Sequence, residues 1–481
     1  MKKLLAMMAG SASASALNLI ALTLAASKVD LHALDVYFVY RDATESILKL
    51  LFVSQIGPIC IAAMRSRADN PHPVRSALLI GGAATAISLC LWTAFFPLIA
   101  HFFVNPEAPV RVTGLGLLEL SVGVFCLFTW LDAIASSVLV HRRLFAQNHF
   151  GNFISAAATC AWMAVPEQLP VESMALAFAV GKVLGTLPKL LICFWPRAVP
   201  KGGSASNKNK VAEAADRQSE NENGLSGVLA MAAPYIPSNL LQQFNKFAYL
   251  AGAAFLAPGL FAIFNIYRRY YTALQNLVTV NIFNLSASRL TDPAEAPRET
   301  VRLLDRHTLS FLTVYAGGSL LMLLCSLPTM QSRLPEFVTS PYAPLLWSVT
   351  LLNYLPDGIN FVLSRQSMLQ NDLRVDSRLN TAQALANIVL LYPSMRYFGI
   401  AGLAYSTMLV CTLFAAFRLW RLREQHKPVR PAVNRIAAYG LLTFGISLFS
   451  LAVSPWLYCL GTLILSLGSL AHLKFSLRRI A

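Results

Sequence analysis

Long apolar segments separated by short polar ones dominate the pattern of this chain. A membrane-spanning helix needs roughly 20 mostly apolar residues. Fourteen segments fit that requirement, the second and fifth least well, because one is interrupted by charges and the other is short. They are 4–27, 36–63, 76–99, 113–139, 150–166, 172–195, 228–251, 258–284, 308–329, 343–364, 378–396, 398–418, 435–453 and 455–473. The pattern predicts an all-α polytopic membrane protein with about 14 transmembrane helices.

The basic residues between these segments predict an orientation. If the N-terminus lies inside, 28 Lys and Arg residues fall in inner loops and ends, and only Lys28, Arg111, Arg333 and Arg396 fall outside. Inner loops of membrane proteins are enriched in Lys and Arg. An even number of spans with both termini in the cytoplasm therefore fits the chain. Most of the formal net charge of +16 is explained by this topology, so it does not indicate a nucleic-acid partner.

The longest polar stretch, 197–226, predicts the domain organisation. It is rich in Ser, Asn, Gly and charge, which is typical of a flexible cytoplasmic linker. It follows the sixth span, so the pattern predicts two six-helix lobes, 1–196 and 227–423, and two additional C-terminal helices within 424–481. Because six is even, the lobes would enter the membrane in the same sense.

The cysteines and histidines show no spacing typical of a metal centre. None of the eight cysteines forms a C-x-x-C pair, and the eight histidines include no H-x-x-x-H motif. The sequence therefore predicts no metal site, no cofactor and no disulfide framework. The predicted outer loops are all short, which leaves no extramembrane domain for a soluble active site.

Charged residues inside the predicted spans are the strongest candidates for function. Each costs about 3 kcal/mol or more at the centre of a bilayer, so such residues generally face a watery cavity or a partner. Seven cations lie within spans: Arg41, Lys49, Lys182, Lys189, Lys246, Arg268 and Arg269. Five acids do so as well, Asp42, Glu45, Glu119, Asp132 and Asp357, and Asp35 lies near the outer boundary of the second span.

Helical spacing places many of these side chains in polar stripes. The seventh span aligns Tyr235, Asn239, Gln242, Lys246 and Tyr249, and the eighth aligns Arg268, Thr272, Gln275 and Thr279. Stripes on several helices predict a shared cavity. Structural interpretations stay open, because Lys189 can extend to the inner membrane surface, Arg41 can pair with Glu45, and amide stripes can join helices.

Arg268 is the residue for which a functional interpretation is strongest. It lies about 15 Å below the outer end of its span, at 1.5 Å per residue, which is deep for a side chain to extend into water. Adjacent residues differ by about 100° around a helix, so Arg268 and Arg269 cannot point the same way. Arg268 heads the polar stripe and is predicted to face the cavity, whereas Arg269 is predicted at the cavity edge or against a neighbouring helix.

Several stretches resemble the MurJ-like lipid II flippases of the multidrug/oligosaccharidyl-lipid/polysaccharide exporter superfamily. "LDVYFVY" at 34–40 resembles the family's D-A-F-F segment, which would carry its aspartate onto Asp35. "MALAFAVGKVLGTLPKLLICF" at 174–194 resembles its sixth helix, and "YFGIAGLAYSTMLVCTLFAAFRLWRLR" at 397–423 resembles its twelfth. "NLLQQFNKFAYLAGAAFLAPGLFAIFNIYRRYYTAL" resembles its seventh and eighth helices and would place the family's cavity arginine on Arg268.

This resemblance implies two helical lobes around a cavity and a flippase that works by alternating access. The cargo would be a polyprenyl-diphosphate-linked glycan, carried across the bacterial inner membrane without a catalytic step. Its diphosphate would bind Arg268, helped by Lys246 and Lys182. The full set of predicted substrate-binding residues is Arg268, Lys246, Arg269, Lys182, Lys49, Arg41, Asp35, Gln242, Asn239 and Gln275. Membrane lipid and glycan-assembly enzymes are the other expected partners.

Two departures from the family leave the glycan open. The family has several arginines in its first two helices, where this chain has only Arg41 and Lys49, and Tyr267 replaces the acid before the eighth-helix arginine. An exopolysaccharide or O-antigen repeat unit fits as well as lipid II. Rival functions are a multidrug cation exporter of the same superfamily, whose cavity should be acidic or aromatic, and an O-antigen polymerase or ligase, which should carry a large outer loop.

The predicted topology can be tested by cysteine labelling in an otherwise cysteine-free variant. A membrane-impermeant thiol reagent should label Ser340→Cys in intact cells, because residue 340 lies in a predicted outer loop. It should label Ser206→Cys, in the predicted cytoplasmic linker, only after the cells are opened. Labelling of Ser206→Cys in intact cells would contradict the orientation.

Overall fold

The computed structural model describes residues 2–49, 115–141, 144–194, 236–253, 256–275, 296–325, 327–331, 334–369 and 373–425, with isolated positions between 87 and 94, between 279 and 290, and after 430. The predicted linker 197–226 lies outside the described residues. So do nearly all of the third span and of the last two spans. The predicted count of fourteen spans therefore stays a prediction.

The described residues form α-helices and their connections, with no strand among them. The helices are α1 Lys2–Lys28, α2 Leu31–Lys49, α3 Leu115–His141, α4 Phe145–Ala164, α5 Val171–Phe194, α6 Ile236–Ala253, α7 Leu260–Gln275, α8 Ala296–Cys325, α9 Pro328–Gln331, α10 Glu336–Thr339, α11 Ala343–Leu369 and α12 Leu373–Gln425. Four segments of these helices are long and apolar enough to cross a membrane: Gly116–Ser136, Val171–Cys193, Ala296–Cys325 and Val375–Gln425. The predicted all-α membrane class is thus confirmed for the described part of the chain.

The largest difference from the predicted boundaries concerns α8, which begins at Ala296 instead of 308. The added residues, "APRETVRLLDRH", are too polar to register in a search for apolar spans. They nevertheless favour a helix start, because proline is tolerated in the first turn and Glu299 lies near the positive end of the helix dipole. The helix therefore extends beyond its apolar part.

The 53-residue run of α12 is two antiparallel helices joined at Gly399. A straight helix of that length would measure about 80 Å, far more than a bilayer needs. Gly399 has φ 56° and ψ −134°, a conformation that interrupts the helix and favours glycine. Beyond it the chain turns back, so that Arg418 Nη1 lies 2.8 Å from Asp376 Oδ1, 42 residues earlier. The sequence pattern places the connection between its eleventh and twelfth spans at the same point.

The chain divides into two compact units. The first contains residues 1–24 and 39–247, and the second contains 25–38 and 248–481. The division passes through α1, α2 and α6, because each of these helices contributes residues to both units. The predicted lobes and the observed units thus differ in where these three helices are assigned.

Glycines allow the helices of the first unit to approach closely. A Cβ atom on Gly185 of α5 would lie 2.5 Å from the carbonyl oxygen of Gly151 on α4 and 2.6 Å from Cβ of Ser155. A Cβ on Gly181 would lie 2.1 Å from Oγ1 of Thr159. Small residues at such contacts are typical of helix packing in membranes, where close backbone approach replaces the hydrophobic effect. The α4–α5 contact positions Lys189, the buried cation of this unit.

In the second unit, α11 packs against α7, α8 and α12. Side-chain hydrogen bonds to carbonyl groups reinforce these contacts. Trp347 Nε1 donates to Gly318 O of α8 at 3.0 Å, and Asn360 Nδ2 donates to Cys411 O of α12 at 2.9 Å. Each bond satisfies a polar group that would otherwise be unpaired in an apolar environment. The arrangement holds α11, and with it Asp357, beside α7.

The reversal at Gly399 predicts a strict requirement at Gly402. A Cβ atom there would lie 1.9 Å from Ser394 O, which is backbone and cannot rotate away. Gly402→Ala should therefore lower the apparent melting temperature in detergent, with a destabilisation of about 1–3 kcal/mol, typical of overpacking. The matched control is Gly317→Ala, because no atom lies within 4 Å of the added methyl. Equal melting temperatures for the two variants would contradict the close approach.

Candidate functional site

The candidate site of the second unit is built on α7. Residues 261–267 of this helix are buried, and Arg268 is the first exposed side chain after them. Thr272 is also exposed and lies one turn further along, and its hydroxyl donates to Arg268 O at 2.9 Å. The predicted polar stripe is therefore visible from Arg268 onward. The start of α7 determines where on the helix this stripe begins.

Asp35 of α2 caps the N-terminus of α7. Its two carboxylate oxygens accept hydrogen bonds from the backbone N–H groups of Gly259 and Ala262. The first N–H groups of a helix have no partner within the helix, and a carboxylate there also interacts favourably with the helix dipole. Asp35 is a predicted substrate-binding residue, but both of its oxygens are engaged with backbone here, a structural role that the sequence did not indicate.

Arg268 keeps its charge exposed beside an aromatic ring. Its guanidinium carbon lies 5.7 Å from the centre of the Tyr249 ring, within range of a cation–π contact. Tyr249 is buried, and its hydroxyl is hydrogen-bonded to Thr407 Oγ1, so the ring is fixed in place. Among the described residues, Arg268 has no ion-pair partner. The structure thus presents an oriented guanidinium that is not bonded to a carboxylate of the described residues.

Arg269 points to a different neighbour. Its guanidinium carbon lies 4.7 Å from the centre of the Phe38 ring of α2. Phe38 follows Asp35 by three residues and is on the same face of α2, so the two helices touch at the start of α7 and again at Arg269. Of the two positions that the sequence left open for Arg269, the structure shows the contact with a neighbouring helix.

Asp357 is an acid within a predicted span, and its carboxylate accepts hydrogen bonds from uncharged side chains. Its Oδ2 accepts hydrogen bonds from the Tyr271 hydroxyl and, at 2.9 Å, from Gln275 Nε2. Tyr271 precedes Gln275 by one turn of α7, so the two donors reach Asp357 from the same face. Gln275, a predicted substrate ligand, therefore binds a protein carboxylate in this structure.

The first unit contains a second charged cluster, in which one carboxylate holds two ammonium groups. Asp132 of α3 lies 2.7 Å from Lys182 Nζ and 2.6 Å from Lys189 Nζ, both on α5. Lys189 is completely buried and also donates to Asn152 Oδ1 at 2.6 Å and to Ser136 Oγ at 3.3 Å. The possibility that Lys189 extends to the membrane surface is wrong, because its ammonium is fully satisfied inside the helix bundle.

Lys182 and Arg41 are two partly exposed cations of this unit. The side chain of Lys182 keeps 18% of its surface exposed although it is paired with Asp132. The Arg41 guanidinium carbon lies 4.2 Å from the centre of the Phe125 ring and 5.8 Å from that of Phe178. Phe178 precedes Lys182 by one turn, so both cations flank the same part of α5. Because Asp132 balances only one of the two lysines, the cluster carries a net positive charge.

The remaining predicted ligands are placed less completely. Gln242 is exposed and Lys246 is half-buried on α6, in the part of that helix that belongs to the first unit. The backbones of Asn239 and Lys49 lie in α6 and α2, and their side chains are outside the described atoms. The structure therefore groups Lys182, Arg41, Gln242 and Lys246 in one unit and Arg268, Arg269 and Gln275 in the other.

One cation that the sequence assigned to an inner loop is in fact buried. Arg418 is 5% exposed and donates to Asp376 Oδ1 at 2.8 Å and to Asn380 Oδ1 at 3.0 Å. Asp376 accepts a further hydrogen bond from Ser364 at 2.8 Å. The spacing of 42 residues between Arg418 and Asp376 gives no sequence signal, because it depends on the reversal at Gly399.

The fold and these buried charge clusters define a polytopic helical membrane protein with polar groups inside each unit. No family model and no curated protein matches the sequence. Among solved structures, the fold is similar to the lipid II flippase MurJ in an inward closed conformation, at 16% identity, with 98% of each chain covered and a TM-score of 0.68. The resemblance inferred from the sequence is thus confirmed at the level of the fold.

Two further solved structures share the fold. An inward-facing multidrug resistance MATE family transporter of the MOP superfamily is 12% identical, with 90% of this chain and 95% of that chain covered and a TM-score of 0.55. A MOP superfamily transporter from Pyrococcus furiosus, described as having a binding pocket of reverse polarity, is 11% identical, with the same coverage and a TM-score of 0.58. At such identities the similarity establishes the fold and leaves the substrate to be argued from this chain's own residues.

Substitutions of the charged residues around Asp132 should destabilise the protein to different extents. Asp132→Asn should destabilise the protein by about 3–5 kcal/mol, because two ammonium groups would lose the one carboxylate that pairs with them among the described residues. Lys189→Met should be milder, since Asp132 keeps Lys182. In the double variant Asp132→Asn/Lys189→Met, part of the lost stability should return. Thermal unfolding in detergent measures all three, and a double variant no more stable than Asp132→Asn would contradict the buried-charge explanation.

Proposed function

We propose that this protein is a flippase that moves a polyprenyl-diphosphate-linked glycan across the bacterial inner membrane by alternating access. The observation that carries the proposal is Arg268, an exposed guanidinium without an ion-pair partner among the described residues, well inside a predicted span. A charge in that environment is expensive and is kept where it binds an ion or a substrate. The shared fold with the lipid II flippase MurJ supports the same conclusion.

The geometry around Arg268 suits an anionic group. A guanidinium offers a planar set of donors that matches two phosphate oxygens at once, and such paired bonds are stronger than bonds between neutral groups. Tyr249 supports one face of the guanidinium. Asp357, the acid that would compete for it, is bonded to Tyr271 and Gln275. Arg268 is therefore available to a diphosphate without first breaking an ion pair.

The first unit contains further cations that the sequence predicts as ligands. Lys182 is partly exposed, Arg41 rests on two aromatic rings, and the cluster around Asp132 is net positive. We assign Lys182 and Lys246 as helpers in binding the diphosphate, as the sequence predicts. The amide groups of Gln242 and Asn239 are assigned to the sugars, whose hydroxyls are both donors and acceptors.

Topology and chemistry complete the proposal. We propose fourteen spans, arranged as two six-helix lobes and two additional C-terminal helices. Both termini and residues 197–226 would lie in the cytoplasm. The polyprenyl tail would stay in membrane lipid while the headgroup crosses through the protein. No bond is made or broken, so the protein would act as a transporter and not as an enzyme, and it would receive its cargo from glycan-assembly enzymes.

A multidrug cation exporter is the main rival, because MATE transporters share the fold. Such a protein needs an accessible acid for its cationic cargo. Here Asp132 is bonded to two lysines and Asp357 to a tyrosine and a glutamine, whereas an arginine is exposed. The surroundings of Asp132, Asp357 and Arg268 therefore favour an anionic headgroup.

The role of Arg268 can be tested by transport in vesicles. Arg268→Ala should abolish flipping of a lipid-linked oligosaccharide, because the donors to the diphosphate are lost. Arg268→Lys should retain part of the activity, since it keeps the charge but loses the paired bonds. Arg269→Ala should be milder than Arg268→Ala, because Arg269 lies against Phe38. The measurement is the fraction of labelled lipid that becomes accessible on the opposite leaflet with time.

The control for this series is Arg378→Ala, which removes an exposed arginine from a predicted inner region outside both clusters. All variants are compared at equal amounts of folded protein, determined by size-exclusion chromatography before reconstitution. If Arg268→Ala flips at the rate of the unmodified protein, the assignment of the diphosphate to Arg268 is wrong.

A further inference from the structure

A polar cavity lies in the second unit, and Arg268 is not among the residues that line it. Its volume is about 410 Å³, and it is lined by the end of the α1–α2 connection, by the start of α7 and by residues 336–342. The predicted topology places these connections on the outer side. The polar side chains around it are Asp30, His32, Glu336, Thr339, Ser340 and Tyr342. A cavity of this size falls within the range of small-molecule sites in proteins, roughly 300–1,000 Å³.

The charges of this cavity exclude the diphosphate as its ligand. Asp30 and Glu336 are exposed acids, and neither has an ion-pair partner among the described residues. The backbone N–H groups of Gly259 and Ala262 at the start of α7, which would attract an anion, are already bonded to Asp35. A phosphate would therefore meet like charges, while two donors of this helix end are already occupied. The ligand is neutral or cationic.

The hydroxyl groups of the cavity are fixed in a complementary arrangement. Thr339 donates its hydroxyl hydrogen to Glu336 O at 3.2 Å, so its oxygen remains an acceptor. The Ser340 hydroxyl accepts the N–H of Tyr342 at 3.4 Å, so its hydrogen remains available as a donor. Nδ1 of His32 is buried and has no hydrogen-bond partner among the described residues. Donors and acceptors thus lie side by side, which suits a ligand whose groups both donate and accept.

Sugars have this chemistry. Each hydroxyl donates and accepts, and neighbouring hydroxyls donate together to a carboxylate in charge-assisted bonds. Tyr342 is 40% exposed at the edge of the cavity and provides an aromatic face for the apolar side of a sugar ring. A metal ion fits less well, because no group of three metal-ligating His, Cys, Asp or Glu side chains occurs in the described part of the chain.

We infer that this cavity is an outer-face site for the sugar portion of the transported lipid. The inference rests on the proposed function, because it assigns the cavity to the glycan after its diphosphate has left Arg268. Separate sites for headgroup and glycan would let the protein discriminate cargo by its sugars. The Asp35 cap links the two sites physically, since it contacts Gly259 of the cavity wall and fixes the helix that carries Arg268.

Direct binding of free sugars is the first test. Purified full-length protein in a detergent without a sugar headgroup is mixed with glucose, N-acetylglucosamine or glucosamine, and saturation-transfer NMR reports bound sugar. At least one sugar should bind, and Asp30→Asn/Glu336→Gln should weaken that binding roughly tenfold, as expected for losing charge-assisted bonds. Tyr342→Ala, at an exposed side chain, should weaken it as well and provides a second variant if the first unfolds.

The matched control is Glu167→Gln, the same chemical change at an exposed acid in another predicted outer loop. Its sugar binding should equal that of the unmodified protein. Absence of sugar binding to the unmodified protein, or equal binding by the control and the cavity variants, would overturn the inference. So would displacement of the bound sugar from the unmodified protein by inorganic phosphate, and so would binding of Ca²⁺ at the cavity without any sugar.

Transport assays distinguish a failure of this inference from a failure of the proposed function. In vesicles, Asp30→Asn/Glu336→Gln should slow the flipping of a glycan-bearing polyprenyl diphosphate but leave that of sugar-free polyprenyl diphosphate unchanged. Arg268→Ala should abolish flipping of both lipids and leave the binding of free sugar intact. Normal flipping by Arg268→Ala together with cavity-dependent sugar binding would refute the diphosphate assignment alone. Equal slowing of both lipids by the cavity variant would refute the glycan site alone.

Discussion

The carboxylate of Asp35 is the interaction on which the arrangement of the second unit depends. It satisfies two N–H groups at the start of α7, Gly259 and Ala262, in an environment where an unsatisfied backbone group costs several kcal/mol. Once the start of α7 is fixed against α2, every later side chain has a determined direction. Arg269 then meets Phe38 of the same α2, and Arg268 emerges on the exposed side. Asp35, which the sequence predicts as a substrate-binding residue, thus positions Arg268, another predicted substrate-binding residue.

The buried carboxylates of the two units have different kinds of hydrogen-bond partner. In the first unit, Asp132 brings Lys182 and Lys189 together, and the buried lysine is satisfied by three oxygen atoms of its neighbours. In the second unit, Asp357 is bonded to Tyr271 and Gln275, both uncharged, and the arginine stays exposed. Asp357 is thus engaged by neutral donors and is not in an ion pair with Arg268, so the donors of the guanidinium stay available.

Hydrophobic periodicity predicted the positions of nearly all the described helices, because long apolar segments leave few alternatives in a membrane. It also placed the polar stripe of α7 and separated Arg268 from Arg269 by helical angle. It failed where contacts depend on chain reversal or on polar helix ends. Arg418 was assigned to a loop, although the turn at Gly399 brings it to Asp376, and the first turns of α8 were missed because they are polar. The partners of Lys189 were missed because Asp132, Ser136 and Asn152 lie on other helices, far from it in sequence.

Two neighbouring arginines can therefore have opposite roles without any difference in their own chemistry. The angle of 100° per residue turns one guanidinium onto Phe38 and leaves the other beside Tyr249 with access to the exposed face. Lys189 and Lys182 lie two turns apart on one face of α5, and their exposure differs because Lys189 lies against Gly151 and Asn152 of α4. A cation within a span is structural when oxygen atoms fixed by the fold surround it. It keeps its donors free when the fold supplies an aromatic surface and no ion-pair partner among the described residues, which is the environment of Arg268 on α7.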